Sequence, residues 1–156
     1  MRIPPRRPAR KRRGTVSVEM ALVAPALVAI MAGLHQASML VDAQTQLATA
    51  ARQGARLATM DRAGLLSEDQ SMNDKVTQEV RTFLDASGLP GSQAEVWIVD
   101  PVDHTTPFDL DNAANDLKLF ELRVELPYAE ISGVTSDAWT MTAKVVFRNA
   151  RSAIVQ

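Results

Sequence analysis

Between Thr15 and Val41 the chain carries one formally charged residue, Glu19, and the run from Val16 to Leu34 is almost wholly apolar. A stretch of that length can cross the hydrocarbon of a bilayer, which takes about 20 mainly apolar residues. In lipid the backbone polar groups must be satisfied within the segment itself, so the segment is expected to be a helix. A carboxylate a few residues into such a helix is unfavourable and calls for a compensating role. Ahead of it stand Arg2, Arg6, Arg7, Arg10, Lys11, Arg12 and Arg13, seven of the 17 basic residues, closed by Gly14. All 18 acidic residues lie beyond Gly14, so a basic leader precedes an acidic body.

This N-terminus admits three readings. As a transmembrane helix, its Lys/Arg cluster holds the first end in the cytoplasm and sends the acidic body across the membrane. As a secretory signal it would be cut at a small-x-small site such as Ala24-Pro25-Ala26 or Ala37-Ser38-Met39, and Arg12-Arg13 hints at a twin-arginine export signal. The apolar run is long for a signal peptide and opens with a glutamate, which favours the anchor. The third reading, a basic arm for nucleic acid, fails because such an arm seldom runs straight into a membrane-length helix. No nucleic-acid partner is expected. Membrane lipid is.

The helical pattern continues past the membrane-length run. Leu40, Ala43, Leu47, Ala50, Gly54 and Leu57 are spaced 3, 4, 3, 4 and 3 residues apart, a heptad-like seam. The opposite face carries Asp42, Gln44, Gln46, Thr49, Arg52, Gln53 and Arg56 and is expected to meet water. One helix from Thr15 to about Thr59 would be roughly 65–70 Å long. Pro25 lies inside it and removes a backbone donor, so a kink or local unwinding is expected there. The seam can pack on the chain's own body or on neighbouring subunits, since small residues allow close helix approach. Both can hold along different lengths.

Beyond Asp61 the pattern is that of a small α+β module. Ser67 and Ser71 are both candidate N-caps, with Gln70 and Asp74 three residues on. Met72, Val76, Val80, Phe83 and Leu84 mark one face of a helix ending at Ser87-Gly88. Glu95–Val99 reads as a strand, followed by a polar loop. Phe120, Leu122, Val124 and Leu126 alternate with Glu121, Arg123 and Glu125, a strand with one wet face. Trp139, Met141, Ala143, Val145 and Phe147 repeat that alternation. Three antiparallel strands backed by a helix are expected, with the long N-terminal helix as a second cover.

Few residues suggest chemistry. The chain has no cysteine, which excludes a disulfide framework and thiolate catalysis. His104 follows Asp103, but no nucleophile motif and no second histidine at ligand spacing accompany it, so it reads as a loop histidine and His35 as an interfacial one. Asp109, Asp111 and Asp116 resemble half of a calcium loop, yet Ala114 and Phe120 stand where that loop needs glycine and glutamate. No cofactor and no metal are expected, with a weak calcium site at those three aspartates as the alternative. The body reads as a module without enzymatic activity.

The glutamate remains to be explained. If a peptidase cut after Gly14, Thr15 would carry a free amine and Glu19 would lie one turn inside the new terminus. When such helices stack, the amine of one subunit can neutralise the carboxylate of the next, offsetting the desolvation of both and enforcing register. The Gly14 to Glu19 junction resembles a type IV prepilin or pseudopilin cleavage site. Val18-Glu-Met-Ala-Leu-Val-Ala-Pro25, Ala50-Ala-Arg-Gln-Gly-Ala-Arg56 and Leu126-Pro-Tyr128 resemble the TadE-like family of pilus-assembly proteins. The resemblance is fairly specific over about Arg12 to Ala58 and looser beyond.

That resemblance implies a pilin-like architecture and a non-enzymatic minor pilin or pseudopilin of a tight-adherence (Flp-type) pilus or related secretion machine. It implies single-pass residence in a bacterial inner membrane, with the C-terminal module periplasmic or extracellular, or incorporation into a surface pilus. It also implies a prepilin peptidase, a major pilin and other pilin-like subunits, a secretion ATPase and an inner-membrane platform protein as partners. The expected organisation is a leader over 1–14, a transmembrane helix over 15–41, its water-exposed continuation over 42–60 and an exported module over 61–156. The competing expectation is an uncleaved, single-pass anchored module that binds a ligand or calcium.

Overall fold

A computed structural model describes residues 15–60, 66, 70–129 and 139–150. The basic leader with Gly14 lies outside the described residues, as does the candidate cap Ser67. The chain divides into two compact units, Met1–Ser38 and Met39–Gln156.

In the first unit the described residues belong to helix α1, which runs from Thr15 to Ala58 and on into the second unit. Ala, Leu and Met favour the helix intrinsically, and the helix is continuous through Pro25. The side chains Val18, Met20, Leu22, Val28, Met31 and Leu34 are all exposed. None of the most apolar 18-residue window of this helix is buried within the chain, so it is a candidate membrane span.

The second unit is an α+β module. It comprises the rest of α1, helix α2 (Met72–Ala86) and strands β1 (Glu95–Val99), β2 (Leu119–Pro127) and β3 (Thr140–Arg148). The sheet is antiparallel with order β1-β2-β3. Its register places Ile98 opposite Leu122 and Leu122 opposite Val145, and likewise Val96, Val124 and Ala143 across the three strands. Side chains alternate along a strand, so these residues and Phe120 and Leu126 share one face. That face meets α2 through Met72, Val76, Val80 and Leu84, and α1 through Leu47, Ala50 and Ala51, in one core. Both helices therefore cover the same face of the sheet, and the long helix does not close the opposite side.

Local signals explain the limits of α2. Ser71 accepts a hydrogen bond from the Asp74 amide at 3.1 Å and donates one to the Asp74 carboxylate at 2.6 Å. At the other end the Leu89 amide donates to the Leu84 carbonyl and the Gly88 amide to that of Asp85. Together these form a Schellman closure, which requires a left-handed residue, and Gly88 has φ +81°.

The outward face of β2 departs from the expected wet face. Glu121 is only 2% exposed, as is Val99 beside it in the register. The cause is the loop after β1, which folds back along that strand. Phe108 donates its amide to the Ile98 carbonyl, Asp100 donates its amide to the Thr106 carbonyl, and Val99 bridges Pro107.

Candidate functional site

The residues that set this chain apart all lie on α1. Glu19 lies beyond the first helical turn, which contains no acidic residue. It is exposed, and so are its apolar neighbours Val18 and Met20. Placed in lipid, the Glu19 carboxylate would need an opposite charge or a donor brought to it.

Further along, the seam enters the module. Ala43, Leu47, Ala50 and Gly54 are buried, and Leu40 and Leu57 at its ends are partly covered. Gly54 is a point of close approach. A Cβ placed there would lie 2.5 Å from Val80 Cγ2 of α2 and 2.9 Å from Leu122 Cδ2 of β2. Ala51, Ala55 and Ala58 are buried as well and widen the seam into a stripe of small residues. Their 4 and 3 spacing was visible in the sequence, but alanine alone does not distinguish a buried stripe from an exposed one. The water-facing side keeps Arg52, Gln53 and Arg56 exposed. Gln46 donates to the Asp42 carboxylate at 2.8 Å, and Gln44 reaches the Thr142 carbonyl of β3 at 3.0 Å. Residues 43–58 are thus packed within their own module. The exposed apolar surface of α1 lies before them.

The polar loop has a structural use for its aspartates. Asp111 accepts the Met72 amide at 2.8 Å and so caps the first turn of α2. Asp109 accepts the Asp111 amide, again at 2.8 Å. Among the described residues no group of three or more His, Cys, Asp or Glu comes together that could hold a metal, and Asp109 and Asp111 both accept backbone amides. The negative charge of Asp111 is instead spent on the amide end of a helix, where it is favoured. Two residues outside the sequence-based candidates tie this loop down. Asn73 donates to the Phe108 carbonyl and accepts the Leu110 amide, while the fully buried Asn149 donates to the carbonyls of Leu110 and Asn115. Replacing Asp111 by alanine is expected to lower module stability by about 1 kcal/mol, the usual worth of a cap. Thermal melts should show the same loss with and without calcium.

His104 is more than a loop histidine. It sits at φ 59°, and its Nδ1 lies 2.8 Å from Glu121 Oε2. Arg123 donates to the His104 carbonyl at 2.5 Å, with its Nε 3.7 Å from Glu121 Oε1. The loop is thereby clamped over the outer face of the sheet, which explains the burial of Glu121. Next to it, the Thr106 hydroxyl and then the Thr106 and Thr105 amides hold the Asp103 carboxyl at about 2, below its ordinary 3.8. These groups are engaged in holding the loop.

Glu19, Pro25 and the Ala-Ala-Arg-Gln-Gly-Ala-Arg block therefore fall on one helix, exposed and apolar early on and buried along one face towards its end. Residues 14–56 match the TadE-like protein family. No curated protein and no solved structure matched the chain. The TadE-like segment points to a pilus-assembly-associated protein with a candidate membrane span. It ends at Arg56, two residues before α1 does, so the family pattern accounts for the helix and leaves the sheet to be explained by this chain's own packing.

Proposed function

We propose that this chain is a non-enzymatic pilus-assembly subunit, a minor pilin or pseudopilin, cut after Gly14 by a prepilin peptidase. The observation that carries this reading is a family match that opens at Gly14 and takes in Glu19, on a helix whose apolar half is left uncovered by its own chain. In this reading residues 1–14 are the leader and 15–41 the span. Residues 42–60 continue the helix into water, and 61–156 form the exported module. The leader's Lys/Arg cluster keeps the N-terminus cytoplasmic.

After cleavage the new amine of one subunit pairs with Glu19 of its neighbour. With the seam from Ala43 to Gly54 occupied internally, contacts between subunits fall to the exposed positions from Val18 to Leu34. Pro25 gives this stretch a local break in its ladder of hydrogen bonds. The partners are a major pilin and other pilin-like subunits, a secretion ATPase and an inner-membrane platform protein.

Direct sequencing of protein purified from membranes of cells with an active prepilin peptidase tests the reading. The expected first residue is Thr15. Recovery of Met1, or of a start near Leu40, overturns it.

A further inference from the structure

We infer that the edge of the module formed by Trp139, Tyr128 and the α1 residues Met39 to Val41 is a lipid-contacting surface that sits in the headgroup layer of the bilayer. This inference rests on the reading of α1 as a membrane span and adds a second, separate attachment of the folded module to the same membrane. Leu40, Tyr128, Trp139, Thr140 and Met141 line a recess of about 360 Å³ at one end of the sheet. The Tyr128 amide donates to the Trp139 carbonyl at 2.8 Å, which extends the β2–β3 ladder beyond its last strand pair and holds the two aromatic residues side by side. Trp139 is 72% exposed, and Met39 and Val41 are exposed beside Leu40.

Chain connectivity says what covers this apolar edge. A hydrocarbon core of about 30 Å takes roughly 20 helical residues, which starting from Ser17 ends near Gln36. Leu40 then lies about 6 Å past the hydrocarbon boundary at 1.5 Å per residue. The headgroup layer on each side is about 5–8 Å deep. Leu40 and the residues packed on it therefore fall in that layer, and Asp42, the first charged residue after Glu19, falls near or just beyond its outer limit. Tryptophan and tyrosine are the side chains that suit such a zone, with an apolar ring and a polar N–H or O–H. Among the described residues no basic side chain lines the recess, so attachment there depends on the aromatic rings and not on anionic lipid.

The chain contains two tryptophans, which supplies an internal control. Trp97 faces the outer side of the sheet, opposite Arg123. The full chain is placed in phosphatidylcholine vesicles carrying bromine atoms high on the acyl chains. Trp97→Phe leaves Trp139 as the reporter, and Trp139→Phe leaves Trp97. The expected result is quenching of Trp139 at least about threefold stronger than that of Trp97, as for a ring held at the interface. The same contrast can be read as the difference between wild type and Trp139→Phe. Weak, equal quenching of both residues in protein that co-floats with the vesicles overturns the inference and leaves the span intact. Strong, equal quenching also overturns it, because the whole module would then lie on the membrane. Failure of the wild-type chain to co-float overturns the span and this inference together.

Discussion

Replacing Gly54 by leucine is expected to unfold the module or to lower its stability by at least about 2 kcal/mol, the scale on which forced overpacking of a filled core acts. The first added carbon already lies 2.5 Å from Val80 Cγ2 and 2.9 Å from Leu122 Cδ2. Val80 and Leu122 are themselves buried in the module's core. The gain in helix propensity on losing glycine is about 1 kcal/mol and does not compensate. Gly33→Leu provides the matched control, since a Cβ there meets nothing within 4 Å. The same chemical change at that site should leave the melting temperature of the module in place. Circular dichroism melts of the two variants in one detergent test both statements. Equal stability for the two would show that α1 does not approach α2 and β2 at Gly54.

Glu19→Val is expected to leave insertion and cleavage intact and to abolish surface pili. Valine removes an unfavourable charge from the apolar segment, so anchoring itself can only become easier. On the proposed pairing, what is lost is the acceptor for the neighbouring amine. Breaking a desolvated ion pair by removing one partner costs about 3–5 kcal/mol, more than about a hundredfold in an association constant. Glu19→Gln keeps the shape without the charge and should fail in the same way. Counting surface pili in cells producing each variant, with N-terminal sequencing to check cleavage, gives the result. Wild-type pilus numbers in the valine variant would remove the pairing argument while leaving the family match untouched.

Much of the secondary structure was legible because each element announces its own ends. Ser71 with Asp74 and Ser87-Gly88 mark α2 through caps that need no distant partner. The alternation along β2 and β3 sets which side chains share a face, and the observed registers keep Phe120 with Phe147 and Leu122 with Val145 on the covered side. The fate of Glu121 could not be read in this way. Alternation puts it outward, and it is outward, but burial depends on a loop 17 residues away that brings His104 to it. For the aspartates of the same loop, composition records their charge and not their direction. Asp111 points at the first amide of α2, a contact between residues 39 positions apart that no local pattern encodes.

The basic leader, the apolar run and its lone glutamate were determined by sequence alone, since charge and hydropathy along a single helix are local properties. So was the likeness to the TadE-like family, which lies in one continuous segment. Only the tertiary structure decided how that segment is divided between two environments. The heptad spacing shows that one face of α1 must be covered, yet it is the same whether the cover is a neighbouring subunit or the chain's own sheet. Packing settles it from Ala43 onward, where Val80 and Leu122 close on Gly54. Before Met39 the apolar side chains are exposed.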